Sequence, residues 1–253
     1  MKQRDWLRPL KATLKKIPGI PQLARLIRLI VNPAYRSQWL LQRNNPDGLF
    51  QPYSQTVTNR HPREFSFIQR QLRGVAIPRL LSFGCSTGEE VFSLRSYFPD
   101  AEIVGIDINP RSIAVCRERL ARTGDQLIRF DVAASPAAEP STYYDAVFCM
   151  SVLRHGQLSV DNAASCEQLI RFADFEKMVV DLCRCLKPGG YFIIKASNFR
   201  FADTVLATEF DVVLHKPGLF CTNKTPLYGP DNRRLPSMAY KEVVFYKRPP
   251  AAI

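Results

Sequence analysis

The sequence predicts an α/β fold of the doubly wound kind, a mostly parallel sheet with helices on both faces, and three observations carry that reading. From Pro78 onward, short apolar runs alternate with amphipathic stretches, as strands and crossover helices do in such a sheet. A glycine-bracketed turn, Gly84 to Gly88, stands between the apolar run Leu80-Leu81-Ser82-Phe83 and a helix opening at Glu89. The composition, 46% hydrophobic and 23% charged over 253 residues, is that of an ordinary globular protein and excludes a disordered or fibrous chain. Such a length holds one large α/β core and an appendage.

The appendage is residues 1–44, which read as a basic amphipathic helical arm. Ten lysines and arginines stand there against Asp5 alone, so +9 of the net +12 sits in this segment and only +3 is left for the rest. That distribution argues against a catalytic domain coated in positive charge for nucleic acid. Leu7, Leu10, Leu14 and Ile17 repeat at helical spacing, and so do Leu23, Leu26, Ile27 and Ile30 after Pro18 and Pro21, with Pro33 ending the second helix. Two readings stay open: peripheral contact with an anionic membrane surface, or packing of the apolar stripe on the main domain with a solvated basic face. No run approaches the roughly 20 apolar residues of a membrane span, and charges from Arg4 to Lys16 interrupt any signal-peptide core. The expected compartment is the cytoplasm.

Residues 45–77 mix turn formers with aromatics and read as a connector and lid-like segment, with a short helix over Glu64–Leu72 that buries Phe65, Phe67, Ile68 and Leu72. Beyond it, strands are expected at Arg79–Phe83, Glu102–Ile106, Leu127–Phe130, Tyr144–Cys149 and Tyr191–Ala196. Helices are expected at Glu89–Tyr97, at Arg111–Arg122, and in a long segment ending near Leu186, where Lys187-Pro188-Gly189-Gly190 stops the helix and turns the chain. Asp211–Lys216 and Lys241–Tyr246, parted by a loop rich in Gly, Pro and Asn, suit a terminal hairpin. The seven cysteines are odd in number and lie mostly in apolar runs, as buried reduced thiols do. Cys183-Arg184-Cys185 lacks a second Cys/His pair at ligand spacing, so no metal site is expected.

The turn at Gly84 to Gly88 lets backbone approach a ligand closely. About 20 residues on, the next strand ends in Asp107, placed to accept hydrogen bonds from both hydroxyls of a ribose. Strand, turn, helix and acid together mark a site for an adenosine-containing cofactor.

These residues resemble the class I S-adenosylmethionine-dependent methyltransferases, whose glycine turn usually reads G-x-G-x-G. Here it is Gly84-Cys85-Ser86-Thr87-Gly88, with Ser86 in place of the middle glycine, and Cys85-Ser86-Thr87-Gly88-Glu89-Glu90 looks like the chemotaxis-receptor glutamate methyltransferases of the same class. Phe130-Asp131, Tyr144-Asp145-Ala146-Val147-Phe148-Cys149-Met150 and Leu186-Lys187-Pro188-Gly189-Gly190-Tyr191-Phe192 extend the resemblance over about residues 78–200. It implies a seven-stranded Rossmann-like sheet with an antiparallel last strand, a cofactor-binding domain over 78–253, and S-adenosylmethionine as cofactor. The implied cofactor contacts are Gly84, Cys85, Ser86, Thr87, Gly88 and Glu89, then Asp107 with Ile108 at the ribose, and Asp131 with Val132 at the adenine. Where many relatives carry an acid before the turn, this chain has Ser82. The methionine amino group is then expected to find its partner elsewhere, at Glu89 or a backbone carbonyl.

The sulfonium donor is already activated, so the protein's part is to align an acceptor and exclude water. His155, just beyond the fourth strand, is the candidate base for a hydroxyl acceptor or else caps a loop. Arg154 is a candidate clamp for an anionic acceptor. After the fifth strand, Asn198 and Arg200 are candidate acceptor contacts at the carboxyl edge of the sheet, or else Ser197 or Asn198 caps a helix start. Neither an Asn/Asp-Pro-Pro-aromatic tetrad nor a Pro-Cys nucleophile is present, which speaks against nucleic-acid bases. The expected reaction is O-methylation of a small metabolite or of a glycan- or lipid-linked intermediate. The alternatives are carboxyl methylation of a protein and a cofactor-binding scaffold without turnover.

Overall fold

The computed structural model describes residues 19–44, 49–51, 56–216, 225–236 and 240–250. The chain divides into two units, Met1–Asn44 and Asn45–Ile253. In the first, helix α1 (Ile20–Val31) begins after Gly19 with Pro21 in its first turn, where a missing N–H costs nothing. Asn32 leaves the helix in extended conformation, and its Oδ1 accepts a hydrogen bond from Tyr35 N at 3.0 Å, opening α2 (Pro33–Asn44). Pro33 therefore ends one helix, as expected, and starts another that periodicity did not separate. The predicted helix through Leu7 and Ile17 lies outside the described residues.

The second unit carries a seven-stranded sheet in the order β3-β2-β1-β4-β5-β7-β6. Strands β1 (Arg79–Phe83), β2 (Glu102–Asp107), β3 (Ile128–Val132), β4 (Tyr144–Met150) and β5 (Leu186–Lys195) run parallel. β7 (Glu242–Lys247) inserts antiparallel between β5 and β6 (Phe210–His215), so the expected terminal hairpin joins the sheet through its later strand.

Side chains alternate across the strands and feed two cores. Leu80, Ile103, Phe148 and Ile193 pack with α3 (Pro62–Gln71), α4 (Glu89–Tyr97) and α5 (Pro110–Thr123) through Phe65, Ile68, Val91, Leu94, Ile113 and Cys116. Leu81, Val104, Val147 and Phe192 face the other way, toward Phe175, Val179 and Leu182 after the short α6 (Gly156–Asp161), on α7 (Phe172–Cys185). Phe67, expected in the core with Phe65 and Ile68, is only partly buried, and Glu64 takes a place inside instead.

One turn departs from expectation. α7 passes into β5 without a loop, and Lys187 to Gly190 lie within the strand as a register shift between the pairs Tyr144–Leu186 and Ala146–Tyr191. Lys187 Nζ donates to Asp145 Oδ1 at 2.6 Å while Asp145 Oδ2 accepts from Arg79 N at 2.8 Å, pinning the excursion to the two central strands. A Cβ on Gly190 would meet Asp145 O at 3.0 Å, so glycine is required for this close approach. All six described cysteines are free and buried; Cys221 lies outside the described residues.

Candidate active site

The carboxyl ends of β1, β4 and β5 form one edge, and each is followed by a non-glycine residue in the left-handed region: Ser86 (φ 52°), Ser151 (φ 64°) and Ala196 (φ 57°). Such conformations persist only where surrounding contacts enforce them, and they concentrate at functional sites. At β1 the enforcing contacts are explicit. Gly84 N and Cys85 N both donate to Ile106 O, at 2.7 and 3.0 Å. Ser86 N donates to Asp107 Oδ2 at 2.8 Å, and the other oxygen of that carboxylate accepts from Asn109 N at 2.8 Å. Asp107 thus ties the glycine turn to the end of β2; burial pushes its carboxyl up and these two hydrogen bonds pull it back.

Gly84 has φ 72°, and a Cβ there would stand 2.4 Å from a methyl of Val152, so the loop after β4 rests directly on the turn. Ser86 Oγ is buried without a hydrogen-bond partner. Asp131, near the end of β3, is ion-paired through both oxygens, Oδ2 lying 3.0 Å from the Arg129 guanidinium and Oδ1 3.7 Å from that of Arg117. Val132 is exposed and Ile108 half-buried beside the two acids.

Two adjacent acids separate on the first turn of α4. Glu89 accepts from Thr87 Oγ1 at 2.7 Å and pairs with Arg119 at 2.9 Å, facing α5. Glu90 turns back under the strand and accepts from Ser82 Oγ at 2.7 Å. Its carboxyl is pushed up to about 7, chiefly by burial, with the Ser82 hydrogen bond and Arg60 opposing. Ser82 itself is fully buried, and of the two acids it is Glu90 whose carboxylate reaches it.

On the acceptor side, His155 caps α6: its Nδ1 accepts from Gln157 N at 3.3 Å, which leaves the proton of the neutral ring on Nε2. Burial lowers its pKa and keeps the ring neutral. Asn198, wholly buried, accepts from His155 N at 2.7 Å through Oδ1 and donates to Pro226 O at 2.7 Å through Nδ2. Its backbone adds a bond to Leu153 O and another from Tyr228 N. Asn198, a candidate acceptor contact, thus also joins three loops. Arg200 is paired with Asp203 at 2.6 and 2.8 Å, which raises its pKa further, and Ser197 Oγ accepts from Phe199 N at 3.0 Å at the turn. Arg154 is half-buried, with one long contact to Ser159 Oγ (3.4 Å) and a buried Nε that has no partner; burial and the charge of Arg60 lower its pKa.

A cluster that the sequence did not suggest completes this edge. Lys195, last residue of β5, donates to Glu64 Oε1 at 2.7 Å and lies 3.4 Å from His61 Nδ1, with Glu64 2% exposed. Burial first, then the Lys195 charge, lowers the His61 pKa to about 4. The partners are more than a hundred residues apart in the chain, so no local pattern announces them. Among the described residues, no three His, Cys, Asp or Glu side chains group to hold a metal.

The comparisons bear on what this edge holds. A family profile described as "Methyltransferase domain" matches residues 78–228, more than half of the chain. The chain belongs to the class I S-adenosylmethionine-dependent methyltransferases. It is 30% identical over 112 residues to the ubiquinone biosynthesis O-methyltransferase of Aromatoleum aromaticum, covering 44% of this chain and 47% of that one. To the demethylmenaquinone methyltransferase of Thermus thermophilus it is 28% identical over 116 residues, 46% of each chain. The YcgJ protein of Bacillus subtilis, of known structure, is 18% identical with a TM-score of 0.40, covering 53% of this chain and 50% of that one. The chain spans about half or less of the length of the curated relatives it matches.

S-adenosylmethionine supplies a methyl group bound to a positively charged sulfur. The residues of this methyltransferase fit such a group. The hydroxyl of Ser86, buried in the glycine turn without a hydrogen-bond partner, is a polar group that a ligand there would satisfy.

Proposed function

We propose that the chain transfers a methyl group from S-adenosylmethionine to an anionic oxygen of a small acceptor. The supporting observation is the half-buried Arg154, in the loop after β4, whose buried Nε has no hydrogen-bond partner. A guanidinium so placed is stabilised by an anion beside it. A guanidinium there holds a phenolate or carboxylate in its charged form, so the oxygen attacks without a separate base: the carbon–oxygen bond forms as the carbon–sulfur bond breaks. His155 then orients the loop, since its Nδ1 is turned to Gln157 and its Nε2 already carries the proton.

In this reading Asp107 accepts the ribose hydroxyls with its remaining lone pairs, Asp131 takes the adenine amino group, and Glu90 receives the ammonium of the methionine end. An oxygen acceptor also agrees with the activity named for the Aromatoleum relative. The test is methyl transfer from labelled S-adenosylmethionine to a panel of phenolic acids and their neutral esters. The proposal expects label in the acids, with KM for the acid raised about tenfold or more in Arg154→Gln while S-adenosylhomocysteine still binds. Label confined to protein or RNA would overturn it.

A further inference from the structure

Helix α1 carries a feature that methyl transfer does not use. Leu23, Leu26, Ile27, Ile30 and Val31 recur at the spacing of one helical face and are 51–74% exposed. Single exposed apolar residues need no explanation, whereas five large ones in a continuous stripe mark an interaction surface. The opposite side of α1 faces α2. Arg28 lies 5.0 Å from the Tyr35 ring, Arg25 5.9 Å and Arg43 5.3 Å from the Trp39 ring. The hairpin therefore keeps its arginines on an aromatic belt and its aliphatic stripe outward. No acidic residue occurs anywhere from Gly19 to Asn44.

We propose that this hairpin docks on an anionic lipid bilayer, with the α1 stripe inserted among the acyl chains and the arginines at the headgroups. Charge selects this occupant. A second copy would bring two basic, acid-free surfaces together, which repel. A surface that is negative outside and apolar just beneath matches both faces of the hairpin. The inference stands independently of the methyl acceptor.

The test is sedimentation of the full chain with phosphatidylcholine vesicles, with and without about one third phosphatidylglycerol. The chain is expected to partition at least about tenfold more strongly onto the anionic vesicles, and to be weakened in ~0.5 M salt. Leu26→Asp with Ile30→Asp should remove that binding. Leu26→Lys with Ile30→Lys should remove it too, although it adds charge, because the stripe is lost. Retained helicity and S-adenosylhomocysteine binding certify the variants. Should either fail to fold, amide hydrogen exchange on the unaltered chain replaces it, and slowing over residues 20–31 on vesicle addition is expected. Undiminished binding of the lysine pair, absence of any preference for anionic vesicles, unchanged exchange in α1, or an effect of the stripe on oligomeric state alone would each overturn the proposal.

Discussion

Replacing Glu90 by glutamine tests the proposed placement of the methionine end at the carboxylate that hydrogen-bonds Ser82. With its pKa at about 7 against an ordinary 4.5, Glu90 keeps a proton in the folded protein between those values that the unfolded chain has lost. Its contribution to stability is therefore fullest below about pH 4.5 and is lost as pH rises through about 7. The whole displacement corresponds to about 3 kcal/mol, at about 1.4 kcal/mol per pH unit. A ligand ammonium placed at Glu90 reverses the preference and expels the proton. Affinity for S-adenosylhomocysteine should then fall by up to roughly thirtyfold between pH 8 and pH 5.5, the cost of removing a proton from a group titrating near 7. Isothermal titration calorimetry in two buffers of different ionisation enthalpy should record release of close to one proton per ligand near pH 5.5 and almost none above pH 8. Glu90→Gln should bind about tenfold more weakly at pH 8, having lost a charge-assisted hydrogen bond. It should also show no pH dependence over this range. Proton release that is nil in the unaltered chain, or that persists in Glu90→Gln, would refute the placement of the methionine end at this residue.

Three further substitutions read other parts of the edge. Gly84→Ala forces a side chain into the left-handed region and against Val152, at about 1–2 kcal/mol for the first and about 1–3 for the second; thermal unfolding should show Val152→Ala restoring only the second part. Lys195→Met leaves Glu64 buried and unpaired, a loss of about 3–5 kcal/mol by denaturant unfolding, much of which Glu64→Gln should recover in the double variant. His155→Asn preserves a cap for α6; turnover should fall less than about tenfold with no displaced limb in the pH–rate profile, whereas a base would cost about a hundredfold or more.

What could be read in advance was local. The glycine turn and Asp107 are joined by hydrogen bonds across one strand pair, so strand, turn and acid at fixed spacing were enough to place them. The central strands announced themselves because both faces are covered, which makes each a continuous apolar run. Glu90 was within the motif that drew attention, but adjacent positions on a helix point about 100° apart, and only the phase of α4 decides which of two neighbouring acids meets Ser82. Lys187-Pro188-Gly189-Gly190 reads equally well as a helix stop and as a strand excursion, since both need glycine beside a tight approach. His61, Glu64 and Lys195 were invisible because parallel topology, not sequence, brings a connector against the end of β5.

Asn198 has a consequence for how quickly the molecule can work. This single residue holds the loop after β4, the loop after β5 and the Pro226–Tyr228 segment through four hydrogen bonds, two from its side chain and two from its backbone. These segments cannot breathe one at a time, because freeing any of them strands a buried polar group on the others. The rim on that side should act as one latch, so that departure of a methylated product past it becomes a concerted event.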